Sequence, residues 1–286
     1  MIPDPILASL RSTYDVQTDN FIAVSGGCIN KCFKLTNGNK PFFLKWNYAD
    51  SYPKMFELEQ KGLNLLRLNS SFIIPEVFEI NSIENYSWIL MEHIPNGRIN
   101  NQYWSQFGYQ LAELHQITNS TYGLEYDNYI GSLIQQNNES NNWNTFFIEQ
   151  RITPQLKLAI NSEKLDSSIL SKFDNLFKLL SEIFPKEKPA LLHGDLWSGN
   201  QMPTDYGKPC VFDPAVYFGH REMELSYTKL FGGFDAEFYQ AYNEVFPIAS
   251  KFEQRMPIYN LYPLLVHVNL FGGGYINQVK NIINQF

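Results

Sequence analysis

The sequence predicts an α+β, bilobal chain: residues 1–94 as an antiparallel five-stranded sheet with one helix, and residues 95–286 as a mainly helical lobe. Three observations predict it. Short β-type runs crowd between Phe21 and His93. One apolar series at helical spacing interrupts them, and beyond Pro95-Asn96-Gly97 the periodicity turns helical and stays so.

Phe21-Ile22-Ala23-Val24, Cys32-Phe33-Lys34-Leu35 and Phe42-Phe43-Leu44-Lys45-Trp46 read as the first three strands. Asn37-Gly38-Asn39 between the second and third is a hairpin signal, because Asn and Gly tolerate the positive φ that tight turns demand. Met55, Leu58, Leu63, Leu65, Leu66 and Leu68 then recur at helical spacing up to Asn69. Pro75 introduces two more strands, at 77–80 and 88–91. In the second part, helices are expected at 103–117, 143–160, 165–184, 234–245 and 252–270. A strand-loop-strand insert, Ala190-Leu191-Leu192 and then Cys210-Val211-Phe212, sits among them. The Asn-rich stretch 135–144 reads as a loop without chemistry, and no repeat of solenoid period appears.

Composition narrows the function classes. Hydrophobic residues at 44% can build a core, and 18% charged residues is too few for a disordered chain. A net charge of -7 with no Lys/Arg-rich run offers no field for nucleic-acid phosphates or anionic lipid, so no nucleic-acid partner is expected. Met1-Ile2-Pro3-Asp4-Pro5 lacks the basic start and apolar stretch of a signal peptide, and no apolar run reaches membrane-spanning length. No membrane partner is expected, and the cytoplasm is. Cys28, Cys32 and Cys210 form neither a disulfide framework nor C-x-x-C pairs, which fits a reducing compartment.

The densest chemical signal is His193-Gly194-Asp195-Leu196-Trp197-Ser198-Gly199-Asn200, followed by Val211-Phe212-Asp213. The spacing of Asp195 and Asn200 matches the kinase catalytic loop H-R-D-L-x-x-x-N, and the later Asp213 matches the metal-holding aspartate of D-F-G. In-line phosphoryl transfer needs a carboxylate beside the attacking hydroxyl, here Asp195. It also needs an amide and a second carboxylate on magnesium, here Asn200 and Asp213. An isolated Asp is more often a turn cap. An eight-residue pattern between two apolar strands, followed by a second Asp, favours the chemistry.

Lys45 ends an apolar strand where kinases place the lysine that grips the ATP phosphates, and Glu59 on the next helix is its expected partner. Glu57 competes for that role; Glu59 is preferred because Leu63 and Leu66 continue its face. Gly26 and Gly27, in Ser25-Gly26-Gly27-Cys28-Ile29-Asn30, fall where a glycine loop covers phosphates. Met91 and His93, after the fifth strand, fall where a hinge offers backbone groups to adenine. His115, in a helical stripe, reads as a core or supporting histidine rather than a catalyst.

Four strings together resemble the fructosamine/ketosamine 3-kinase family, relatives of aminoglycoside and choline kinases within the protein-kinase-like fold. They are Gly26-Gly27-Cys28-Ile29-Asn30, Met55-Phe56-Glu57-Leu58-Glu59, the 192–200 loop, and Asp213-Pro214-Ala215-Val216-Tyr217-Phe218-Gly219-His220-Arg221-Glu222. The resemblance spans about residues 21–275, and Asn269-Leu270-Phe271-Gly272 with Tyr275 adds to it. It implies phosphorylation of the 3-hydroxyl of ribulosamine or fructosamine adducts, free or on protein lysines, which labilises the adduct and repairs glycated protein. It also implies Trp197 against the sugar, or packing the loop, and His220, Arg221, Glu222 and Glu224 on the acceptor side, unless Arg221 and Glu224 form an ion pair. The chain lacks the H-R-D arginine and an A-P-E string, so activation-loop control and peptide substrates are not expected. Two other readings stay open: an aminoglycoside- or choline-type acceptor, and a nucleotide-binding pseudokinase. The oligomer is read as a monomer or a dimer linked through oxidised Cys28.

Overall fold

A computed structural model of the chain describes residues 1–14, 21–24, 29–37 and 40–286. Gly26, Gly27 and Cys28, and the Gly38-Asn39 turn, lie outside the described residues. Helix α1 (Asp4–Tyr14) precedes β1 (Phe21–Val24), β2 (Lys31–Asn37) and β3 (Lys40–Tyr48). Helix α2 (Met55–Asn69) leads to β4 (Val77–Ile83) and β5 (Tyr86–Glu92). The strands form one antiparallel sheet in the order β1-β2-β3-β5-β4. The five strands and α2 are where the residues predict them; α1 was not anticipated.

The pleat decides where the first functional residue goes. Successive strand side chains point to opposite faces. Leu44, Trp46, Trp88 and Leu90 pack with Ile2, Ile6, Leu7 and Leu10 in one core on the α1 side. Ile89 and Met91 belong to the other, larger core, which includes Phe56, Leu63 and Leu66 of α2. Lys45 stands opposite Ile89 in the ladder, so the alternation delivers it to the α2 side of the sheet.

The helical part opens with α3 (Tyr103–His115) and a small hairpin, β6 (Asn128–Ile130) with β7 (Leu133–Gln135). Then come α4 (Trp143–Phe146), a π-helical turn (Phe147–Ile152), α5 (Thr153–Asn161) and α6 (Leu170–Ile183). Four three-residue strands follow: β8 (Ala190–Leu192), β9 (Gln201–Pro203), β10 (Pro209–Val211) and β11 (Tyr217–Gly219). Helices α7 (Arg221–Leu230), α8 (Ala236–Val245), α9 (Phe252–Tyr259), α10 (Leu261–Phe271) and α11 (Gly274–Ile283) complete the chain.

Three expectations are corrected. The 190–212 insert is two ribbons rather than one, since β8 pairs with β11 and β10 with β9. The helix expected at 252–270 is two, because Pro263 has no N–H to donate to the carbonyl of Tyr259 and the ladder breaks there. The Asn-rich 135–144 stretch is partly structural: Gln135 and Asn137 are buried and bond Asn128, Ala215 O and the buried Arg151. Among the described residues no helix is long and apolar enough to cross a membrane.

Candidate active site

Lys45 is 4% exposed, and its ammonium donates to Glu59 Oε1 at 2.7 Å and also to Asp213 Oδ1. Glu57 is exposed and takes no part. Burial by itself disfavours the ammonium, but the charges of Asp213 and Glu59 outweigh it and hold the Lys45 pKa above its ordinary value. Two carboxylates on one buried cation fix the Nζ position, which is what a phosphate-gripping lysine requires.

Asp195 sits on the loop that leaves β8. Gly194 makes that loop possible: its φ is +85°, and a Cβ there would stand 1.9 Å from Ala215 O. His193 is a buried strut, with Nε2 3.0 Å from Phe212 O and Nδ1 accepting from Asp195 N at 3.3 Å. Asn200 Nδ2 donates both to Asp195 O (2.8 Å) and to Asp195 Oδ2 (2.9 Å). Burial pushes the Asp195 carboxyl up to about 7, against hydrogen bonds from Tyr227 and Asn200 that favour the ionised form. Asp213 adopts φ +56°, the left-handed region that Asp tolerates better than most residues.

These groups line one cleft of about 340 Å³: Lys45, Glu59, Asp195, Trp197, Asn200 and Asp213 are all on its wall. The Trp197 ring edge lies against Gly199, where a Cβ would stand 2.3 Å away, and against Phe231 with centroids 6.0 Å apart. It therefore both packs the loop and borders the cleft. Tyr227, His267 and the 128–132 end of the β6–β7 hairpin also line it, and sequence reasoning missed them. His267 Nδ1 is 2.7 Å from Pro263 O, so it donates there and its Nε2 is the acceptor. No local signal marks Tyr227 or His267; each is one aromatic position in a helix.

Other expected residues lie elsewhere. His220 and Glu222 are fully buried and do not reach the cleft. His220 Nε2 meets Pro185 O at 3.1 Å, and Glu222 Oε2 accepts from Arg255 Nε at 2.7 Å. Arg221 pairs with Glu187 at 2.9 Å and not with Glu224, which faces His115 instead. The reason is helical: α7 begins at Arg221 and turns this whole stretch inward. The side chains of Met91 and His93 do not line the cleft either; Met91 is core, and the role expected of both concerned backbone groups. Cys32 and Cys210 are free thiols whose burial pushes their pKa up to about 11 and about 12, which leaves them inert near neutrality.

The donor set suits magnesium. Asp213 Oδ2 and Asn200 Oδ1 are hard oxygens with no partner among the described residues, and both residues face the same cleft. Among the described residues no group of three or more His, Cys, Asp or Glu forms a metal cage. Magnesium usually takes one or two protein oxygens and completes its shell from phosphates and water.

The model of the fructosamine kinase family matches residues 6–286. A probable ketoamine kinase of Vibrio parahaemolyticus is 39% identical over 274 residues, covering 95% of this chain and 94% of that one. A chloroplastic protein-ribulosamine 3-kinase of Oryza sativa subsp. indica is 38% identical over 271 residues, 92% of this chain and 78% of that one. Among solved structures, a candidate fructosamine-3-kinase from Haemophilus somnus 129PT superimposes with a TM-score of 0.87 at 29% identity, covering 98% and 96% of the two chains. A thermostable mutant of aminoglycoside phosphotransferase APH(4)-Ia, with AMP-PNP and hygromycin B, superimposes with a TM-score of 0.64 at 17% identity over 97% of each chain, a likeness of fold.

Proposed function

The chain belongs to the fructosamine kinase family, and from that premise we propose that it transfers the ATP γ-phosphoryl group to the 3-hydroxyl of a ketosamine. Residues 1–94 act as the nucleotide lobe and residues 95–286 as the catalytic and acceptor lobe. The observation that carries this reading is the convergence of Lys45–Glu59, Asp195, Asn200 and Asp213 on one cleft.

Each group has a part that its geometry supports. Asp195 accepts the proton of the attacking hydroxyl. Asn200 occupies one carboxylate oxygen, and the Tyr227 hydroxyl adds a second hold, so the base is oriented before substrate arrives. Lys45, fixed by Glu59, steadies the nucleotide phosphates. Asn200 Oδ1 and Asp213 would hold magnesium, which when bound neutralises charge on the transferring group. Catalysis is positioning plus electrostatics.

The acceptors are ketosamine small molecules or glycated proteins, with ribulosamine and fructosamine as the sugars. Release of the labilised adduct makes the biology repair of glycated protein, in the cytoplasm. The test is phosphate transfer to synthetic ribulosyl-lysine and fructosyl-lysine beside an aminoglycoside and choline, with the product position read by NMR. Turnover of a ketosamine alone at O3 is expected; transfer to the aminoglycoside or choline in preference overturns the reading.

The pH profile is a second consequence. Below about 7 the Asp195 carboxyl holds its proton and cannot accept another, so kcat/KM falls toward acid with an apparent pKa near 7. Tyr227→Phe removes a hydrogen bond that favours the ionised form, so the acid limb moves to higher pH. A profile flat from roughly pH 5.5 to 8 contradicts this assignment.

A further inference from the structure

One buried amide ties three elements of the N-terminal part together: the loop before β2, the strand β3 and the start of α2. Lys45 and Asn47 are two residues apart on β3, so the pleat sends both to the α2 side of the sheet. Asn47 is 4% exposed and, unlike Lys45, does not line the cleft. Its Nδ2 donates to Asn30 Oδ1 at 2.9 Å and to Met55 Sδ at 3.3 Å. Asn30 ends the Ser25-Gly26-Gly27-Cys28-Ile29-Asn30 string and immediately precedes β2. Met55 is the first residue of α2, one turn before Glu59. Asn30, Lys45, Met55 and Glu59 all line the cleft, and Asn47 touches two of them from outside it.

Donor inventory fixes the orientation of this amide. A thioether sulfur only accepts, so Asn47 turns its NH₂ toward Met55, and the second hydrogen of the same group reaches Asn30. With the amide reversed, its oxygen would face the sulfur, acceptor against acceptor. Asn47 Oδ1 is buried with no partner among the described residues, so among them the NH₂ carries the whole polar anchorage of the side chain. A half-satisfied buried amide costs desolvation that an apolar residue of the same size avoids. What the amide adds at this position is the tie itself.

We propose that Asn47 is a positioning residue for binding the nucleotide phosphates: its NH₂ holds the Asn30 end of the loop in register with Lys45 and with the first turn of α2. Loop, ammonium and Glu59 then meet the phosphates as one unit. The proposal rests on the reading of residues 1–94 as the nucleotide lobe. A loop end left free must be ordered when the anion binds, and a tie made beforehand removes that cost. The effect is confined to the phosphates, because Asn47 reaches the cleft through Asn30 and Met55 alone among the described residues.

The test measures the affinity of wild type, Asn47→Leu, Asn30→Ala and the double variant for AMP-PNP with magnesium and for adenosine, by calorimetry, with a thermal melt of each. Asn47→Leu keeps the size of the side chain and removes the NH₂. Asn30→Ala removes the other half of the tie from a half-buried position. Each is expected to weaken AMP-PNP by about 5- to 10-fold, the worth of one net hydrogen bond, with adenosine within about twofold. The double variant is expected to fall within about twofold of the weaker single, because both remove the same contact. Three results overturn the proposal: AMP-PNP within about twofold of wild type in Asn47→Leu, equal losses of AMP-PNP and adenosine, or losses that multiply in the double variant. Should Asn47→Leu not fold, Asn30→Ala decides: a loss of AMP-PNP alone supports the tie, and unchanged affinity or an equal loss of adenosine overturns it. Wild type that binds no AMP-PNP sinks the nucleotide-lobe reading and the proposal with it, a different failure from full AMP-PNP binding by both single variants.

Discussion

Replacing Asp195 with Asn is expected to lower kcat by about 10²–10⁴-fold, the usual worth of a positioned general base. The substitution keeps the shape of the side chain and leaves Lys45, Glu59 and Asp213 as they are, so nucleotide affinity changes little. A second readout separates lost chemistry from lost fold. The unfolded chain ionises Asp195 near its ordinary value of 3.8, whereas in the fold burial pushes it to about 7. Between those values the folded state holds a proton that the unfolded state releases, so ionisation costs stability progressively as pH rises from about 4 to 7. Asparagine has no charge to bury. Asp195→Asn is therefore expected to melt higher than wild type at pH 8, with the gap closing toward pH 4, while activity collapses. Turnover near wild type in a coupled ATP assay, or a lower melting temperature at pH 8, refutes this account of the residue.

How much of this was legible follows from what kind of interaction places each residue. Lys45 was legible because a charged residue within Phe42-Phe43-Leu44-Lys45-Trp46 breaks an apolar strand and needs a reason to be there. Asp195, Asn200 and Asp213 were legible because one loop and the segment after it fix their separation locally. The β6–β7 hairpin was not. Its strands are only three residues long, Asn128-Tyr129-Ile130 and Leu133-Ile134-Gln135, too short for a periodic pattern, and Gly131-Ser132 between them is an ordinary turn pair. What orders it is distant in sequence: Asn128 donates to Val216 O, and Gln135 to Ala215 O. His220 and Glu222 were misplaced for the opposite reason. Their motif adjoins Asp213 in sequence, but α7 turns Glu222 onto Arg255 and Glu224 onto His115, so adjacency in the chain became depth in the core. Their acceptor-side role was what the resemblance implied, and each has a partner inside the fold that no local pattern records.

Asp213→Asn is the other large effect, and the backbone makes it a clean probe. At φ +56° most side chains strain the chain, but Asn tolerates the left-handed region as well as Asp does. The variant therefore removes one negative charge and leaves the turn into Pro214 intact. Two partners lose by it: the magnesium that the proposed mechanism gives to Asp213, and Lys45, which retains Glu59 alone. A buried ammonium with one good carboxylate at 2.7 Å remains paired, so the fold is expected to survive. Loss of the metal carboxylate removes several kcal/mol of charge stabilisation, so kcat/KM is expected to fall by about 10³-fold or more. The magnesium concentration for half-maximal rate is expected to rise with it. Asp213→Ala supplies the contrast, since it loses the same charge and adds left-handed strain of about 1–2 kcal/mol. Its melting temperature is expected to drop below that of Asp213→Asn while its residual activity is no higher. If magnesium dependence is unchanged in Asp213→Asn, the carboxylate serves Lys45 and not the metal, and the division of work in the cleft must be redrawn.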